Sequence, residues 1–134
     1  QAYPMRSDDS YDLNYQLPNL LHEAGVKFSL TRQSATGSRN LPFQASQAVA
    51  FGLPQDIALR SITLSAAEIL GVEKDLGSLD IGKKATIVIS DGDIMDHITH
   101  NVTHMFIEGR SVDLNSKHKE LYKKYREKNY SKSE

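Results

Sequence analysis

The stretch that most constrains this chain runs over residues 69–91, ILGVEKDLGSLDIGKKATIVISD. It asks for a helix that stops on Gly71, a charged connection turning at Gly77-Ser78-Leu79, a sharp backbone turn at Gly82, and then a strand over residues 85–90. The strand reading rests on Ile87-Val88-Ile89, three consecutive β-branched aliphatics whose side chains suit a pleated surface. Asp91-Gly92-Asp93 supplies the next turn. A helix delivered directly into a small β unit is therefore written into the chain, and the rest must accommodate it.

Upstream, residues 1–11 carry Pro4, Asp8, Asp9 and Ser10 and read as loop. Leu13, Leu17, Leu20, Leu21 and Ala24 fall on helical spacing, with Pro18 in the first turn and Gly25 as the stop. Residues 26–30, VKFSL, alternate apolar and polar, so a strand follows. Helix then strand across one glycine is the αβ half of an α/β unit. The polar loop at residues 31–40, TRQSATGSRN, lies at the carboxyl end of that strand, where α/β proteins carry their chemistry. Within it, Arg39 can fork its guanidinium onto two oxygens of a substrate carboxylate, or simply pair with a surface acid. Asn40 then reads as an N-cap, with Pro42 near the helix start and Gly52 as terminator. Pro54 opens a further helix, QDIALRSI, with Ile57, Leu59 and Ile62 expected inside. Ser65-Ala66-Ala67-Glu68 has the form of a capping box for the helix that ends at Gly71.

Beyond Asp93, residues 102–107 read as a second strand, and Glu108-Gly109 turns it into Arg110-Ser111-Val112 as a hairpin. Three strands are about the minimum for an independent sheet, and their outer edges need partners. His97, His100 and His104 invite a zinc reading, but two fall in a loop and one in a strand. No cysteine or positioned carboxylate completes a shell, so no metal site is assigned. Asp8, Asp9 and Asp12 read as solvated loop acids. Residues 115–130, NSKHKELYKKYREKNY, form a helix capped by Asn115 or Ser116, with Leu114, His118, Leu121, Tyr122 and Tyr125 in one narrow stripe. That stripe is expected to dock on the chain's own sheet, and residues 131–134 to fray.

The 134 residues match one domain in size. There is no apolar run long enough for a membrane span and no signal-peptide pattern. The absence of cysteine excludes disulfides and thiolate chemistry. A net charge of -1 conceals an asymmetry: from Asn115 onward there are seven Lys or Arg against three Glu, and before it nine against fourteen acids. A basic end of this kind can touch nucleic acid or an acidic surface. A solvated helix face is the simpler reading, and no nucleic-acid partner is expected.

Several separate pieces then arrive in a familiar order. Arg-Asn-Leu-Pro-Phe, Ala-Val-Ala-Phe-Gly-Leu-Pro and Ala-Leu-Arg-Ser-Ile-Thr-Leu-Ser-Ala-Ala-Glu-Ile-Leu-Gly precede Leu-Gly-Ser-Leu, Gly-Lys-Lys-Ala-Thr and Ile-Val-Ile-Ser-Asp-Gly-Asp. From about residue 25 to residue 112 the chain resembles the C-terminal segment of the metal-dependent amidohydrolase superfamily, in its imidazolonepropionase-like and prolidase-like branch. The resemblance implies an α/β fold. Residues 1–71 would be the last strand and helices of a (β/α)8 barrel, residues 72–113 part of a composite β-sandwich, and residues 114–134 a basic C-terminal helix and tail. A barrel of this type needs about 250 residues, so the resemblance makes this a C-terminal fragment of a larger enzyme, with which Gln1 in place of a starting methionine agrees. The compartment stays open at this point; relatives of this branch exported from bacteria are compatible with an extracytoplasmic location.

The resemblance also makes residues 26–30 the eighth barrel strand. In the family that strand usually ends in an aspartate that binds metal and takes a proton from the attacking water. Laying VKFSLTRQ on the pattern puts Gln33 at this position, with neither neighbour, Arg32 or Ser34, acidic. A glutamine amide is neutral and has no useful basicity near pH 7. Two readings stay open: a hydrolase of C–N bonds, of a cyclic amide or dipeptide-like substrate, incomplete in this fragment, or an inactive structural or interaction domain. The full-length family implies a divalent metal, zinc foremost, held by histidines on early barrel strands and not by this fragment. The implied partners are the remainder of the chain, a second copy through the sheet edges, and a small-molecule substrate.

Overall fold

The computed structural model describes residues 6, 8–32 and 34–130. In chain order these form α1 (Leu13–Glu23), a 3-10 segment (Ala35–Asn40), α2 (Leu41–Ala50), α3 (Gln55–Ser61), α4 (Leu64–Leu70), β1 (Ile87–Asp91), β2 (Asn101–Ile107), β3 (Arg110–Ser111) and α5 (Lys117–Tyr130). The expected terminal loop at residues 1–5 and 7 and the frayed tail at residues 131–134 lie outside the described residues.

Three of the helices end by one device. After α1, Gly25 N–H donates to the His22 carbonyl at 2.9 Å and Val26 N–H to the Leu21 carbonyl at 2.9 Å. Gly52 and Leu53 repeat this pair on Val49 and Ala48, and Gly71 and Val72 repeat it on Glu68 and Ala67. These are the paired bonds of the Schellman motif, and they require the left-handed residue that only glycine supplies without strain. All three stops lie where the sequence places them.

Other local expectations fail for physical reasons. Pro18 sits in the middle of α1, not in its first turn. The helix starts earlier because Asp12 serves it twice: its carbonyl accepts from Tyr15 and Gln16 N–H, and its carboxylate accepts from Gln16 Nε2 at 2.7 Å. A proline there removes one internal hydrogen bond and crowds the carbonyl one turn back, a local cost that the rest of the helix carries. The Ser65–Glu68 capping box does not form. α4 begins at Leu64, which puts Ser65 inside the helix. Glu68 is instead drawn to Lys27 at 3.1 Å and Arg60 at 2.6 Å, since two cations compete better for a carboxylate than one backbone amide. Asn40 precedes α2 but caps it with no side-chain hydrogen bond. In α3, Ala58 and Ser61 face inward, flanked by half-buried Ile57 and Ile62, and Leu59 is turned outward with 41% of its surface exposed.

The core is small and rich in alanine. Ala45 and Ala48 of α2, Leu53, Ala58 of α3 and Met95 are buried, with Phe28, Leu30, Val49, Ile57, Ile62 and Ile94 packed around them. Alanines let the short helices approach closely at little side-chain entropy cost. Residues 26–30 correct the strand expectation: they have no ladder among the described residues, and their backbone is tied to the helices by Val26 N–H donating to the Leu21 carbonyl at 2.9 Å and Leu30 N–H donating to the Ser61 carbonyl at 3.3 Å. A parallel strand exists only through neighbouring strands, and none of the described strands lies beside this one. Phe28 and Leu30 are nevertheless anchored, because their side chains reach the core.

The sheet has the order β1-β2-β3 and is antiparallel throughout. Ile87 lies opposite Phe106 and Ile89 opposite His104, and then the register slips so that Ser90 meets Val102. The extra residue is Thr103, whose hydroxyl donates to the Ile89 carbonyl at 3.3 Å, a β-bulge that bends the strand. The hairpin turn forms as expected at Glu108 (φ 49°) and Gly109 (φ 79°), the double positive φ of a type I′ turn.

Two connections tie the sheet to the helices. Gly77 lies so close to α4 that a Cβ there would meet Ala67 Cβ at 2.7 Å and Leu64 Cα at 2.9 Å. In the β1–β2 connection, Met95 enters the core, and Asp93 accepts from Met95 N–H at 2.8 Å and from Gln55 Nε2 at 2.7 Å. α5 corrects a further expectation: the described side chains from Lys117 to Lys128 are all exposed, so the stripe of Leu121, Tyr122 and Tyr125 does not dock on the sheet. With mostly charged neighbours the stripe is too narrow to offset the desolvation of packing. Ser116 does cap this helix, its hydroxyl accepting from Lys119 N–H at 3.3 Å.

Candidate functional site

The polar loop leads from Leu30 to α2, and Gln33 lies outside the described residues. Arg39 sits in the last turn of the 3-10 segment, exposed and without an ion pair among the described residues. The pairing with a surface acid that its position permitted is therefore not made there.

The loop's other arginine turns toward α2. With the Gln44 amide oriented to place its oxygen on the guanidinium, that oxygen accepts from Arg32 Nη1 at 2.8 Å and from Nε at 3.3 Å. Arg32, Asn40, Phe43, Gln44, Ser46, Gln47, Ala50 and His97 line a cleft of about 580 Å³. Phe43 organises its far side. The His97 ring stacks on Phe43 with centroids 3.9 Å apart at 23°, and His100 meets Phe43 edge-on at 4.9 Å and 70°.

Asp96 fixes the turn that presents both histidines. Its carboxylate accepts from Ile98 N–H at 3.0 Å and from the Thr99 hydroxyl at 2.5 Å, and its carbonyl accepts from His100 N–H at 3.2 Å. The Ile98 amide, then the Thr99 hydroxyl, with a smaller contribution from His97, hold the Asp96 carboxyl below the usual carboxylate range.

These side chains do not fit the divalent ion that the resemblance implies. Among the described residues no three His, Asp or Glu converge on one point. His97 and His100 are engaged with Phe43, and His104 points from β2 into solvent, opposite Ile89. Asp9 accepts from Arg6 N–H at 3.0 Å, and Asp12 is taken by Ser10 and Gln16. No reaction step can be routed through a metal held by these groups. What the cleft offers is hydrogen-bond donors around one guanidinium. The sequence does not mark Arg32, Phe43 or Gln44 as site residues and offers His97 only as a candidate metal ligand, because the cleft joins residues 32–50 to residue 97 with no spacing signal to connect them.

Comparison with known proteins places this arrangement in context. A model of the amidohydrolase family matches residues 15–113. The chain is 28% identical to a 5-methylthioadenosine/S-adenosylhomocysteine deaminase of Thermodesulfovibrio yellowstonii, over 70% of this chain and 27% of that protein. Among solved structures, it resembles an amidohydrolase from Thermotoga maritima with a TM-score of 0.69 and 27% identity, over 74% of this chain and 26% of that one. A prolidase complexed with N-methylphosphonate-L-proline shares the fold at a TM-score of 0.56 and 24% identity, with the same coverage. The chain thus spans about a quarter of the length of the relatives it matches.

Proposed function

The chain belongs to the amidohydrolase family, and on that premise we propose that it is the C-terminal portion of a metal-dependent hydrolase that cleaves a C–N bond in a cyclic amide or dipeptide-like substrate. The observation that carries this reading is the family match over residues 15–113, in a chain a quarter as long as its relatives. A deaminase among those relatives supports C–N cleavage as the reaction class. In this reading residues 1–71 are the last strand and helices of the barrel, residues 72–113 part of a composite sandwich, and residues 114–134 an appended helix. Residues 26–30 then find their ladder partners in the remainder of the chain, which also supplies the ligands of a divalent ion.

Gln33 takes the position of the family's aspartate at the end of the eighth strand. Its amide can orient a water by hydrogen bonding but cannot accept the water's proton. Arg39, exposed and free of an acid partner among the described residues, is the group that grips a substrate carboxylate. The second reading, an amidohydrolase scaffold without hydrolytic activity, is favoured by Gln33 itself.

The test uses the full-length protein, with bound metal measured by mass spectrometry and hydrolysis followed on N-acyl amino acids, dipeptides and cyclic amides. Gln33→Asp in the metal-loaded protein is expected to raise hydrolysis by about 10²-fold or more, the usual worth of a positioned base. A metal-loaded protein that gains nothing from Gln33→Asp would sink the role assigned to Gln33. A full-length protein that binds no divalent metal would sink the hydrolase reading.

A further inference from the structure

The cleft beside α2 has a composition that the hydrolase reading leaves unused. Its polar lining is Arg32, Asn40, Gln44, Ser46, Gln47 and His97: one permanent cation, an imidazole, three amides and a hydroxyl, with no carboxylate. We propose that this cleft binds a small oxyanion, a carboxylate or a phosphate, with the Arg32 guanidinium as its principal charge partner and His97 and the α2 amides as further donors.

The guanidinium is fixed in place without being neutralised. The Gln44 oxygen accepts from Nη1 and Nε, and a neutral amide sets the direction of the fork while leaving its full positive charge. Gly37 makes room on another side, since a Cβ there would come within 3.0 Å of Arg32 Nε. Four other cations of the fold are committed to acids, Lys27 and Arg60 to Glu68, Lys83 to Asp80 and Lys84 to Glu108, and Arg39, like Arg32 without an acid partner among the described residues, lies outside this cleft. No carboxylate pairs with Arg32 among the described residues. Across the lining, the stack on Phe43 holds the His97 ring in one orientation. The acid next to it in sequence, Asp96, is occupied by Ile98 N–H and the Thr99 hydroxyl. A held cation, oriented donors and no competing acid are what a two- or three-oxygen anion requires. About 580 Å³ accommodates phosphate or a small organic acid. This inference stands on side chains of this chain alone and does not depend on the proposed hydrolysis.

The experiment titrates the full chain with inorganic phosphate and, separately, with malonate, following the Arg32 Nε and His97 ring resonances by ¹H–¹⁵N NMR. Saturable shifts at both groups are expected, and the anion that saturates at lower concentration identifies the source chemistry. Arg32→Ala should weaken binding by roughly tenfold or more, as expected for loss of a charge-assisted pair. Arg32→Lys should recover only part of that loss, because an ammonium cannot reproduce the fork. Gln44→Met keeps the charge but frees its direction and should weaken binding several-fold. Shifts that never saturate, or an Arg32→Ala protein that folds and binds both anions as the wild type does, would overturn the proposal.

Discussion

Gly77 and Gly82 separate two costs that a single substitution usually mixes. Both have left-handed backbones, with φ of 94° and 92°. At Gly82 a Cβ would enter open space, whereas at Gly77 it would meet Ala67 Cβ at 2.7 Å and the Leu64 backbone at 2.9 Å. Gly82→Ala should therefore cost only the conformational penalty, about 1–2 kcal/mol. Gly77→Ala should add overpacking against a helix that cannot yield, for about 2–5 kcal/mol in all. Urea denaturation midpoints of the two variants test this, and equal losses would contradict the close approach. Glu68 offers a second measurement at this scale. Lys27 first and Arg60 next hold its carboxyl below the ordinary glutamate value of 4.5. A lowered folded pKa means the charged form is favoured by folding, so its contribution is complete above pH 4.5 and disappears as pH falls through the folded value. The Tm gap between wild type and Glu68→Gln should accordingly be widest near neutrality and close on acidification below pH 4.5. A gap that is constant with pH would mean the cations do not stabilise that carboxylate.

Elements differed in legibility according to whether their cause is local. The stops at Gly25, Gly52 and Gly71 and the turn at Glu108-Gly109 depend on a few consecutive residues, and each is readable from the sequence. Features decided at a distance were not. Residues 26–30 carry a strand pattern but need a neighbouring strand to form a ladder. Ser65 and Glu68 have capping spacing, yet Lys27, forty-one positions upstream, takes the carboxylate. The cleft follows the same rule: the contact of Phe43 with His97 has no sequence signature, and Arg39, which its polar loop singles out, does not line it. The stripe of Leu114, His118, Leu121, Tyr122 and Tyr125 has helical spacing, but its members within α5 stay exposed, because so narrow a stripe among charged neighbours cannot offset the desolvation of docking. Its exposure makes a prediction. Removing residues 115–134 should change the stability of the remainder by less than about 0.5 kcal/mol, as for other surface changes away from packed features. A fourteen-residue helix without tertiary support is marginal in water. Hydrogen exchange should therefore show the amides of α5 far less protected than those of α2. Comparable protection would mean that α5 has a docking partner in solution.

On the scale of the whole molecule, the small core and the unfinished sheet have a common consequence. The fully buried large side chain at the centre of the helices is Leu53, supported mainly by alanines, while Leu70, Leu79, Ile81 and Ile98 lie on the surface. β1 is the outer strand of its sheet, so among the described residues one side of its backbone has no strand to pair its N–H and C=O groups. Among the described residues no other strand pairs with that edge over residues 87–90, and Ile87, Val88, Ile89 and Ser90 include no lysine and no proline. The nearest lysine, Lys84, is engaged with Glu108 at 3.3 Å. Val88 and Ile89 are each 46% exposed, which adds apolar surface to the unpaired backbone. An edge of this kind pairs with the next strand it meets, whether from the remainder of a longer chain or from a second copy. The 134-residue chain by itself should associate in a concentration-dependent way, detectable by sedimentation velocity at micromolar concentrations. Val88→Lys places a charge where a second strand would pack and should shift the population toward monomer without unfolding it, since Val88 is already half in water. A wild-type chain that stays monomeric at every accessible concentration would show that β1 is not an open edge in solution. If association persists unchanged in Val88→Lys, its seat lies on another surface, and the apolar group of Leu79 and Ile81 is the next to substitute.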